Sequence, residues 1–218
     1  MFDYDNSAVV FWWVLATYFL PMVVGFISGK IKAISLVQMS EIGKKLTDPL
    51  TIKLHNWSRQ YKMACIKNGQ WFMLFLLIFL NNLILAAFVT RILYGIIFII
   101  PLFLTAWTGF AHGLLLSKPK GRTGIGLMFF EFGGYLLATV IGVEIGISIL
   151  VTLIKGTELI INLPWAYPVL MILFLLSGAA IESLSLKAVS KKIDLSNIDK
   201  IDYEKRRKEI VKQFDQDD

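Results

Sequence analysis

A chain of 218 residues that is 56% hydrophobic and only 17% charged, with a mean hydropathy of +0.65, lies outside the range of soluble globular domains and reads as an integral membrane protein. At about 20 residues per crossing, its length admits five or six spans and no separate soluble catalytic domain. The net charge of +6 comes from basic residues that flank apolar runs, so the positive-inside bias accounts for it and no nucleic-acid partner follows. The single cysteine, Cys65, excludes an intrachain disulfide framework and multi-cysteine metal sites, and is expected to be filler on an amphipathic helix.

The first seven residues carry two acids and no basic residue, and an apolar run over 8–29 follows directly, closed by Lys30 and Lys32. This run is longer than the apolar part of a signal peptide and has no basic residues ahead of it, so it is expected to be a retained span with its amino end outside. Trp12 and Trp13 suit the outer headgroup level, and Pro21 is placed to kink the helix. Over 31–67 the apolar residues Met39, Ile42, Leu46, Leu50, Leu54, Trp57 and Tyr61 recur at helical steps. Pro49 divides that stretch into two amphipathic helices, with Thr47 or Asp48 as the cap. Eight Lys or Arg residues between Lys30 and Lys67 fit either a helix on the cytoplasmic leaflet or one packed on the protein's own cytoplasmic ends. His55 lies there without a second ligand at helical spacing.

The second span is expected over 71–90. Asn81 and Asn82 fall near its centre and must face other helices, and Arg91 marks its outer end. A third span over 92–116 contains Pro101 as a kink, and its glycines among aromatics, ending at His112 and Gly113, indicate close helix contacts. A basic turn, SKPKGRT, leads tightly into a fourth span over 124–154, which brings His112 and Glu131 to similar depth. A fifth span over 164–186 has Trp165 and Tyr167 as outer anchors and Glu182 near its inner interface. The tail over 191–218 mixes both charges and reads as a cytoplasmic helix or coil. Of the 22 Lys and Arg residues, 20 fall on the proposed cytoplasmic side and only Arg91 and Lys155 outside.

The chain is organised around FFEFGGYLLATVIGVEIG, residues 129–146. At 100° per residue Glu131, Gly134, Ala138, Gly142 and Gly146 fall on one stripe roughly 120° wide, a small-residue packing face with an acid at one end. Glu144 points to the far side. A carboxylate inside a membrane is costly unless paired, protonated or wet, so Glu131 is a candidate site residue, alongside a plain packing role. Gly133 and Gly134 offer a place to break the helix into the half-helix ends that transporters use. Pairing of Glu131 with His112 or with an asparagine amide is expected.

Catalytic patterns are weak. Ser177 with His112 lacks the glycine two residues before the serine that a nucleophile elbow needs, and two histidines in the chain leave no zinc motif. No P-loop is present, so any ATP coupling would come from another subunit. No enzyme activity, metal or cofactor is called for.

The string EFGGYLLATVIGVEIG resembles the signature of the stage II sporulation protein M family, a membrane glutamate followed by small residues at the spacing of Glu131, Ala138, Gly142 and Gly146. Phe79-Leu80-Asn81-Asn82 is similar to that family's asparagine in an apolar span, and His112-Gly113 stands where an asparagine-glycine pair is usual. Leu127 to Phe130 replace the proline-histidine-glycine that commonly precedes the glutamate. The resemblance covers about residues 75–186. It implies a non-enzymatic multi-span protein that, in spore formers, localises and assembles a peptidoglycan-degrading complex during engulfment.

The expected fold is therefore an all-α polytopic helical bundle of about five transmembrane helices with cytoplasmic amphipathic helices, over 1–190. Its expected place is the cell membrane, and its expected partners are membrane lipids and other membrane proteins, a second copy included. Two functions stand: a scaffold for a cell-envelope complex, and a transporter or permease subunit for a small solute or lipid.

Overall fold

The computed structural model describes residues 7–34, 38, 49–118, 125–156, 158–161 and 163–191. The first amphipathic helix expected after Lys32 lies mostly outside the described residues, as do most of the basic turn, the charged tail and the side chain of His55. The described chain is all α: α1 (Ser7–Lys30), α2 (Pro49–Lys67), α3 (Trp71–Leu80), α4 (Ile99–Leu116), α5 (Ile125–Lys155) and α6 (Ala166–Ser190). Helix α3 continues without a break as a π-helix over Asn81–Ile92 and a 3-10 turn over Leu93–Ile97. Five rods, α1, α3 with its continuation, α4, α5 and α6, are long and apolar enough to cross a membrane. Helices suit that solvent because each satisfies its own backbone groups.

The rods form three layers, with α5 in the middle. On one side α1 and α4 lie side by side and parallel, in contact along their length because glycine sits at each crossing point. Gly109 packs on the Tyr18 carbonyl, Gly113 on that of Met22, and Gly25 on that of Phe110. Val14 and Tyr18 of α1 then bury Phe132, Leu136, Val140 and Val143 of α5. On the opposite side α5 presents Leu137, Ala138 and Ile141 to Ala87 of the π-helix and to Met171 and Leu175 of α6. Both flanks of α5 are thus taken by protein, whereas its neighbours turn large apolar faces outward, Trp12, Trp13, Phe72, Ile97 and Trp165 among them.

Helix α2 packs across one end of this stack, against α3 and α6, with Trp57 and Tyr61 left exposed. Cys65 and Ile66 are buried against Leu74, Ile78 and Ala179. The chain reverses from α2 into α3 at Gly69, whose φ of 68° favours glycine, and Gln70 N–H closes the turn on the Cys65 carbonyl at 2.9 Å.

Three expectations are corrected. Arg91 does not mark an outer end, since the second span runs to Ile97 and Arg91 is buried within the bundle. Pro101 does not kink the third span, because that helix begins at Ile99 and the proline occupies its first turn, where no intrahelical donor is missed. The helix does not break at Gly133 and Gly134, because α5 passes through both, and their missing side chains admit Phe174 and Leu175 of α6.

Candidate functional site

The π-helix begins at the two asparagines, and π-helical stretches are rare and concentrate at functional sites. Its wider turn places Asn82, Ala87 and Arg91, at steps of five and four, on the face turned to α5. Asn82 Nδ2 donates to Glu131 Oε1 at 3.1 Å, and Asn81 Nδ2 donates to Asn82 Oδ1 at 3.4 Å. Gly178 of α6 packs on the Glu131 side chain, and one turn later Glu182 comes within side-chain hydrogen-bonding reach of it, with the Lys62 charge of α2 acting on the same carboxyl group. The π-helix, α5 and α6 therefore meet at one acid and amide cluster. Glu182, expected at the interface, is part of it.

His112 does not pair with Glu131. It lies on the α1 side of α5, where Tyr18 Oη and His112 Nδ1 share a hydrogen bond of 2.8 Å and Phe132 stacks on Tyr18 with ring centroids 3.4 Å apart. Histidine and glutamate are at similar depth in the sequence reading, but they leave their helices toward different layers. Gly113 serves the contact with Met22. Ser177 donates to its own helix at the Leu173 carbonyl, 2.9 Å away, and has no bond to His112. A second buried link, Thr105 to Thr139 at 2.9 Å, ties α4 to α5.

The small-residue stripe divides between two neighbours. Gly134 faces Met171 and Leu175 of α6, Ala138 is fully buried, and Gly142 and Gly146 press on the carbonyls of Arg91 and Gly95. The whole stripe is occupied within one chain.

Two charged residues that the sequence reading set aside are also interior. Arg91 is 6% exposed, donates through Nη1 to the Ala86 carbonyl at 2.7 Å, and lies 4.6 Å above the centre of the Tyr135 ring. Its Nε is buried without a hydrogen-bond partner. Glu144 is 7% exposed and its Oε1 is likewise buried and unpartnered. Its position follows Leu137 and Val140 along α5, away from the face that meets Arg91. The signal for Arg91 is present in the sequence as a lone cation with apolar residues on both sides, but the apolar run before it already suffices for a span and so points to a terminus. No group of three or more His, Cys, Asp or Glu that could hold a metal ion occurs among the described residues.

Fold and site together define an all-α, multi-pass membrane protein with a hydrogen-bonded acid and amide cluster between its helices. No protein-family model matches the chain, and no curated protein or solved structure matches it.

Proposed function

We propose that the chain is a non-enzymatic membrane protein that assembles or localises a cell-envelope complex, the role implied by its resemblance to stage II sporulation protein M. The observation that carries this reading is where the resembling residues are used. Glu131 and Asn82 tie the second span to α5, and Gly134, Ala138, Gly142 and Gly146 close the same seam and the one to α6. Spent on the chain's own helices, they build a rigid platform and leave partners to its outer faces. One such face is on α2, where Trp57 and Tyr61 are exposed and tilt against each other at 4.6 Å. Affinity purification of the tagged full chain from native membranes tests this. A cell-wall hydrolase or its membrane partner should co-purify and be lost from Trp57→Ala/Tyr61→Ala, whereas stoichiometric recovery of an ATPase would replace the scaffold with a permease subunit. That second reading is favoured by the unpartnered buried atoms of Arg91 and Glu144.

We place the amino end outside, following the positive-inside bias of the basic residues that line α2 and flank the ends of α1 and α6. In a Cys65→Ala background, Glu158→Cys should react with an impermeant maleimide in intact cells and Lys32→Cys only after permeabilisation. The opposite pattern inverts the topology.

A further inference from the structure

The geometry points to Arg91 as an oxyanion-binding site inside the membrane domain, taking a carboxylate or phosphate that presents two oxygens to one edge of its guanidinium. A guanidinium keeps its charge under all ordinary conditions, so a buried one needs a counter-charge or a full set of acceptors. Arg91 has neither among the described residues. Its hydrogen bonds leave from Nη1, to the Ala86 carbonyl and, at 3.4 Å, to Thr90 Oγ1, while Nε is buried with no acceptor. The edge formed by Nε and Nη2 is the one that grips a carboxylate or phosphate in two parallel bonds.

The side chain is also aimed. An arginine near a span's end ordinarily extends toward the headgroups to keep its charge wet. Arg91 instead folds back along its own helix, away from the end at Ile97, to a carbonyl five residues earlier, and lies on Tyr135. Tyr135, whose ring lies under this cation, follows Glu131 by one turn of α5. Gly142 packs on the Arg91 carbonyl, so the π-helix backbone at this residue lies directly against α5. Beside it α6 packs closely on α3 but barely on the π-helix, and we take the seam between those two elements as the anion's route in. This inference holds for a scaffold or a permease alike.

Two sources supply that chemistry, an anionic lipid phosphodiester and a small anion from water, and one experiment separates them. The full chain in neutral detergent is unfolded thermally with added phosphatidylglycerol against phosphatidylcholine, and separately with acetate or inorganic phosphate against chloride at equal ionic strength. The wild type should gain about 3 °C or more in at least one arm. A gain in the first arm alone names lipid, and a gain in the second alone names a soluble anion. Arg91→Gln should be flat in both, and the exposed Lys32→Gln should match the wild type. Arg91→Lys, which keeps the charge without the fork, should respond at concentrations at least about tenfold higher, and it decides the matter if Arg91→Gln does not fold. A wild type that responds in neither arm, or an Arg91→Lys indistinguishable from wild type, overturns the proposal.

Discussion

Replacing Gly142 by leucine is expected to separate α5 from the second span and to cost more stability than any other single change on the α5 stripe. A side chain there meets the Arg91 carbonyl and the Ile92 Cα, and Gly95 across the seam already has the Gly142 backbone where its own Cβ would be. These are backbone atoms and cannot rotate aside. Overpacking of this kind typically costs about 1–3 kcal/mol, and leucine at a glycine-on-backbone contact belongs at or above the top of that range. In lipid the loss matters more, because close packing, not burial from water, is what drives helices together. The thermal midpoint in detergent should fall by several degrees. Gly126→Leu is the control, since nothing lies within 4 Å of the position a Cβ would take there. Equal midpoints for the two variants would remove the Gly142 seam from the account of stability.

The second large effect is expected at Glu131, and it separates the two functions. Glu131→Ala leaves Asn82 Nδ2 without its acceptor inside the bundle and takes away the group that faces Glu182, a loss of about 1–3 kcal/mol. Glu131→Gln keeps an acceptor of the same shape and should stay within about 0.5 kcal/mol of wild type. Because Asn82 and Glu131 share one bond, Asn82→Ala combined with Glu131→Ala should cost less than the two single changes added together. A scaffold needs only the fold, so the glutamine variant should complement a deletion while the alanine variant complements poorly. If the glutamine variant folds and assembles but fails to complement, the acid's charge or proton is used and the permease reading takes over. A Glu131→Ala chain normal in both assays would leave the cluster without a role.

Much of the architecture was legible in the linear chain. The five spans, the amphipathic helix over Pro49–Lys67 and the interior placement of Asn82 and Glu131 all follow from partition: uninterrupted apolar runs enter lipid, and a polar side chain within one turns toward protein. Glycine spacing likewise announced close packing on α4 and α5, since nothing else lets backbones touch. What the chain alone left open was azimuth. Glu131 had an asparagine amide and His112 as candidate partners at similar depth, and only the rotation of α5 between two layers sent the glutamate to Asn82 and left the histidine to Tyr18. Arg91 shows the same division. Its charge predicted the edge of a span, but a π-helix adds residues to each turn and so rotates everything after Asn81, and that rotation carries the arginine into the bundle rather than out of it. Composition thus determined which segments leave water, because transfer free energy sums along a segment whatever its neighbours are. Which polar groups meet was decided only by the tertiary structure, because a hydrogen bond needs direction and distance, and those depend on how each helix is turned against the next.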